Sequence, residues 1–188
     1  MTQPPFDPSR EVRFDLGRGQ LTLGGSAPRV MVPTDALVEL CRSAGADAAK
    51  NFGRRIGTEA GRRAASRLVG GPDKASLEAV LEHLGGDLAL LGLGSLGIER
   101  WGRALVMTVA ESPLGTEGDS LLASVVEGAL QRAMSRDASV VALAREDGVL
   151  RLLVVGAATA QKVATWLSTG MKWSEALAKL NATGGTKS

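Results

Sequence analysis

His83 and Cys41 are the sole histidine and the sole cysteine in a chain of 188 residues, and between them they bound its chemistry. A histidine-based triad or metal cluster would rest on one side chain. A single cysteine excludes an intramolecular disulfide and a cysteine-built metal site, and fits a reducing compartment. The sequence contains no HExxH, CxxC or GxSxG, which argues against zinc chemistry and the commonest serine hydrolases. His83, beside Glu82 in a predicted helix, reads as a surface residue. Cys41 shares a helix face with Leu37 and Ala44 and reads as a small core residue, the alternative being a tethering or reactive thiol beside an apolar groove.

Two glycine-rich segments could in principle hold an anion. Gly92, Gly94 and Gly97 match GxGxxG, but the residues that follow, IERWGRALVMTV, have the period of strands, whereas a pyrophosphate needs a helix N-terminus there. GTEGDS, at 115–120, precedes a helix, yet Glu117 and Asp119 would repel an anion; it reads as an ordinary cap supplied by Asp119 or Ser120. No cofactor is implied.

The stretch with the most unusual pattern is Asn51–Leu68. Gly53, Gly57 and Gly61 recur at a spacing of four, and on a helix they share one half of the cylinder with Phe52, Ile56, Ala60, Ala64 and Leu68. Three helical glycines cost about 3 kcal/mol relative to alanine unless the flat face lets something approach closely. That partner is another backbone, a second subunit or a ligand chain. Arg63 and Arg67 lie within the apolar arc, where they would be the first polar groups a partner or an acidic head group meets. The candidate ligand-channel or interface residues are therefore Phe52, Gly53, Ile56, Gly57, Ala60, Gly61, Arg63 and Arg67, with Cys41 nearby.

Elements must position this stretch. The composition, 44% hydrophobic with 3% aromatic, describes a folded domain with a core of Leu, Val and Ala, and a net charge of +2 gives no footprint for nucleic acid. No run approaches the about 18 apolar residues of a spanning helix, and the N-terminus has no signal-peptide pattern, so the expectation is a cytoplasmic protein. Residues 1–10 read as a flexible arm, 11–181 as a single domain and 182–188 as a flexible tail. Val12–Leu16 and Gln20–Leu23 form a hairpin; a helix starts at Thr34, and the glycine-stripe helix follows. Ser76–Leu84 is a helix that Gly85 and Gly86 interrupt, leaving DLALLGLGSLG as a buried connection. Leu96–Trp101 and Ala104–Ala110 form a hairpin, Leu121–Met134 lies in the clearest amphipathic helix, and Asp147-Gly148 joins Val140–Arg145 to Val149–Val155. Two helices, 157–168 and 174–180, end the chain, with Trp166 and Trp173 sealing the core edge. The fold class is α+β: an antiparallel sheet of hairpins with helices packed on one face.

VMVPTDALVELCRSAGADAAKNFGRRIGTEAGRR, the Val126-Glu127-Gly128 helix after LGIERWGRALVMTVAESP, and the closing VVALAREDGVLRLLVV together resemble the Bet-three-type core subunits of the TRAPP tethering complex and the related 4-vinyl-reductase-type domains, over about residues 29–156. The resemblance implies a helix-mediated homodimer enclosing an apolar channel for an acyl chain or other hydrophobic ligand. In the eukaryotic complex a cysteine carries the acyl chain, but Cys41 has no residue-by-residue match to it, and the cysteine clusters of many 4-vinyl-reductase-type domains are missing. The expected function is a non-enzymatic binding module, either an adaptor for partner proteins or a sensor of a small hydrophobic ligand. The alternatives are a regulator of a small GTPase system through complex assembly, and an enzyme on a hydrophobic small molecule using Cys41 or His83.

Overall fold

The computed structural model describes residues 5–25, 28–71, 74–135 and 137–183. A four-stranded antiparallel sheet lies at its centre, in the order β3-β4-β6-β5, built from Ser95–Trp101 (β3), Ala104–Ala110 (β4), Ser139–Glu146 (β5) and Val149–Val155 (β6). The two hairpins expected from 96–110 and 140–155 form it. The β5–β6 turn places Asp147 at φ 50° and Gly148 at φ 78°, the pair of positive angles that a tight hairpin turn matched to strand twist demands. Strand alternation then fills two cores. Met107, Val109, Leu150 and Leu152 face one way, toward the helices Leu77–Leu90 (α4) and Asp119–Met134 (α5); Ala104, Val106, Leu143 and Leu153 face the other way, toward Ala157–Ser168 (α6) and Trp173–Thr183 (α7). The α+β class is as expected, but helices cover both sheet faces, because β4 and β6 are apolar at successive positions and not only at alternate ones. Trp166 and Trp173 pack on the second core, and Trp173 meets Trp101 edge to face at 5.0 Å.

The remaining helices build onto the first layer. Pro8–Glu11 (α1), capped by Asp7, leads into a separate hairpin of Val12–Asp15 (β1) and Gln20–Leu23 (β2); Thr34–Ala44 (α2) and Ala46–Arg67 (α3) follow. The stretch read as a flexible arm is, at residues 5–10, ordered against α4: the Phe6 amide donates to Glu82 Oε1 at 3.2 Å. Residues 1–4, Pro72, and 184–188 of the expected tail lie outside the described residues, while Ala182 and Thr183 close α7. No helix among the described residues is long and apolar enough to cross a membrane.

Two local expectations are corrected. Gly85 and Gly86 do not break their helix; α4 runs to Leu90, and Gly86 is needed because a Cβ there would sit 2.3 Å from the Phe6 ring. Asp119 is the first residue of α5 and not its cap, and its carboxylate instead accepts two bonds from Arg145, at 2.8 and 2.6 Å.

Candidate functional site

The glycine stripe of α3 is occupied within the chain. A Cβ at Gly57 would lie 1.9 Å from the Val125 carbonyl oxygen and one at Gly61 2.3 Å from that of Ala129; reciprocally, one at Gly128 would lie 2.4 Å from the Arg54 carbonyl oxygen. The partner for the flat face is the backbone of α5, and no room remains there for a ligand chain or a second subunit. Ala60 is fully buried in the same seam, Ile56 and Cys41 are half-buried against the first core, and Phe52 is largely exposed. Cys41 thus takes the small-core-residue reading, as a free thiol.

Arg63 and Arg67 do not wait for a partner either. Arg63, 3% exposed, donates from Nε to Asp87 Oδ1 at 3.1 Å, and Asp87 is 1% exposed. Arg67 donates from Nη1 to Asp87 Oδ2 at 2.9 Å and from Nε to Glu11 Oε1 at 2.9 Å, while Arg29 holds Glu59 at 2.6 Å and Arg63 stands 3.6 Å from the same carboxylate. Burial by itself would lower the Arg67 guanidinium, but the hydrogen bonds it donates to Glu11 and Asp87 outweigh it and the pKa is raised. Glu59 is held below its ordinary value, chiefly by the Arg29 hydrogen bond. The cluster sets the guanidiniums of Arg29, Arg63 and Arg67 against the carboxylates of Glu11, Glu59 and Asp87. Its work is to bind α1, α3 and α4 together.

Against this cluster lies His83, which the sequence placed on the surface and the structure buries at 2% exposure. The cause is the uninterrupted α4, which carries His83 and Asp87, four residues apart, on the face turned to α3. Phe6 completes the cover, its ring 5.2 Å under the Arg67 guanidinium and 6.2 Å from the imidazole at an edge-to-face angle. Neither ring nitrogen has a hydrogen-bond partner among the described residues, so no relay from His83 to a nucleophile or an orienting carboxylate is formed there. Burial first, and the Arg67 charge second, push its pKa below the ordinary value. The folded state therefore keeps His83 neutral, while the unfolded chain takes up a proton below about pH 6.5. By linkage, stability is lost as pH falls through that value toward the lower, folded pKa. Urea midpoints compared at pH 7.5 and 5.5 should fall at the acid end, and His83→Leu should flatten the slope.

The space suited to a ligand is elsewhere. A cavity of about 400 Å³ opens between the start of α4, the end of α5 and the sheet, lined by Leu77, by Leu130 and Met134, by Leu105 and Met107 of β4, by Val154 and Val155 of β6, and by Asp137 and Ala138 of the α5–β5 connection. That volume is in the range of small-molecule sites, and such sites are lined by apolar side chains with few polar groups. None of these residues stood among the sequence candidates. Leu130 and Met134 at i, i+4, and Leu105 and Met107 at i, i+2, carry the same pattern as solid core. A second groove, about 590 Å³, lies between α2 and the 3-10 turn Thr116–Gly118; there Arg42 is paired with Glu39 and faces Glu117 at 3.9 Å. No cluster of three or more metal-capable side chains occurs among the described residues.

No family model matches the chain, and no curated protein matches it. A crystal structure of the phenol-responsive sensory domain of the transcription activator PoxR with phenol superposes with a TM-score of 0.62 over 78% of this chain and 85% of that one. What the two share is the fold. Identity is 15%, too low to carry residues across. This corrects the family expectation: the fold is shared with the PoxR sensory domain, and no family match supports assigning the chain to the TRAPP core subunits or the 4-vinyl-reductase-type domains.

Proposed function

We propose that this chain is a non-enzymatic sensor domain that holds a compact hydrophobic molecule in the cavity between α4, α5 and the sheet. The observation that carries this reading is the cavity itself: about 400 Å³ of space walled, among the described residues, by eight apolar side chains. Buried apolar surface supplies the affinity, roughly 25 cal/mol for each Å² removed from water. The phenol response of the PoxR domain, which shares the fold, supports the same class of ligand.

Sensing also needs a wall that transmits the event, and α5 is placed for it. One side of α5 presents Leu130 and Met134 to the cavity, and the other meets the backbone of α3 at Gly57 and Gly61. A ligand that displaces Met134 presses on a helix with no slack behind it, so α3, and through Arg63 and Arg67 the α1–α4 cluster, moves as a unit. A scaffold for partner proteins would need no such cavity.

Calorimetric titration with phenol and with toluene tests the reading. Both should bind the wild-type chain, and Met134→Trp, which fills the cavity from a half-buried wall position, should weaken both at least about tenfold, a difference of about 1.4 kcal/mol, without lowering the melting temperature. Unaltered binding in the variant, or no binding of either probe, would reject it.

A further inference from the structure

Among the described residues lining the cavity one is polar, the carboxylate of Asp137. Asp137 stands at the mouth, exposed, with no hydrogen bond or ion pair to another described residue. A carboxylate can only accept hydrogen bonds, so it favours a donor and repels another anion. The chain just after Asp137 is held to α5: Gln131 donates from its side-chain amide to the Ala138 carbonyl at 2.8 Å, and the Val140 amide donates to Glu127 Oε2 at 3.0 Å.

A second, independent source of negative potential meets it there. α5 ends at Met134, itself part of the cavity wall, with Ser135 turning left-handed at φ 50°, ψ 34°. The last carbonyls of a helix carry the equivalent of about half a negative charge, felt within the final turn. The basic residue of that turn does not cancel it at the mouth. Arg132 is two positions from both Leu130 and Met134, which puts it on the opposite side of the helix, and its Cβ comes within 3.0 Å of where a Cβ on Gly61 would lie. Carboxylate and helix end thus act together on whatever head group sits at the opening, while the body of the ligand meets only hydrocarbon and the Met107 and Met134 thioethers.

We infer that the cavity selects compact hydrophobic molecules by a hydrogen-bond-donating head group, ammonium over hydroxyl, and rejects carboxylates. This rests on the cavity being the ligand site. Four probes of one shape read it: toluene, benzyl alcohol, benzylamine and benzoate, titrated at pH 7 into the wild-type chain and into Asp137→Asn, an exposed position whose side chain holds no other described residue in place. Benzylamine should bind about three- to tenfold tighter than benzyl alcohol, the size expected of one exposed charge aided by a helix end, and benzoate should be the weakest. In Asp137→Asn the benzylamine advantage should shrink to within about twofold with toluene unchanged, and 1 M salt should shrink it in the wild type. Toluene binding with benzoate equal to benzylamine, or with an advantage that survives Asp137→Asn, overturns the head-group rule and leaves the cavity reading standing. If toluene itself does not bind, both fall.

Discussion

Gly57→Leu should leave the chain at the edge of folding, and Gly57→Ala should already destabilise it by about 1 to 3 kcal/mol, the cost of forcing extra atoms into a packed site. The sign is the informative part. On an isolated helix the alanine would be favourable by about 1 kcal/mol. Here the added Cβ would stand 1.9 Å from the Val125 carbonyl oxygen and 2.8 Å from the Ala129 amide nitrogen, which are backbone atoms of a buried helix and cannot swing aside. Either α3 and α5 separate or the helices bend, and each route opens the seam that Gly53, Gly61 and Gly128 also make. For leucine the loss should reach about 3 kcal/mol or more, a large share of the roughly 5 to 15 kcal/mol that holds an ordinary domain folded. Gly85→Ala is the control. It too is helical, but its Cβ would meet Leu96 Cβ at 3.5 Å, an ordinary contact, so the change should stabilise by about 0.5 to 1 kcal/mol. Urea unfolding of the two alanine variants decides: a Gly57→Ala midpoint at or above wild type would show that the seam has room for a methyl group.

The contrast between these glycines also marks what the sequence could and could not reveal. The hairpins were legible because a turn is a local event: Asp147 and Gly148 carry the whole instruction in two residues. The stripe on α3 was legible as a demand for close approach, but not as to its partner. Gly128, which answers it from α5, is a lone glycine 71 positions beyond Gly57 and has no spacing of its own to mark it. The pair Gly85–Gly86 misled in the opposite direction. Read locally they break a helix; in the fold Gly86 makes room for Phe6, 80 residues away in sequence, and α4 continues. That one misreading hid the rest of the cluster. With α4 stopped at Leu84, Asp87 falls into a connection and Arg63 and Arg67 are left on an apolar arc with no counter-charge in view; His83 lies inside the expected helix either way, and its surface reading comes from its charged neighbour Glu82 and not from the helix end. The cavity escaped for a different reason: it is defined by atoms that are absent between elements, and the residues around it have the periodicity of solid core.

Asp87→Ala should then be the most damaging single change in the charged cluster, at about 3 to 5 kcal/mol, the usual cost of removing one partner of a buried ion pair. The reason lies less in the bonds lost than in what they leave behind. Arg67 keeps Glu11, but Arg63 retains only Glu59, 3.6 Å from Nη1 and beyond hydrogen-bond distance, with its side chain almost wholly out of water. A guanidinium cannot shed its proton to escape that position, so the desolvation penalty stands in full. Glu59→Gln separates burial from charge: Glu59 pairs with Arg29 and stands near Arg62 and Arg63, but its side chain is 44% exposed, and the loss should stay within about 1 kcal/mol. The cycle closes with Arg63→Met. Alone it removes the cation and frees one Asp87 oxygen to Arg67; combined with Asp87→Ala it removes the orphan, so the double variant should be more stable than Asp87→Ala by about 1 to 3 kcal/mol, a coupling of the size seen for residues in direct contact. Chemical denaturation of the four proteins at pH 7.5 reads it directly. Additive losses would mean that water reaches Arg63 and that the cluster is a solvated face, whereas recovery in the double variant identifies the buried charge, and not the lost hydrogen bond, as what Asp87 is there to hold.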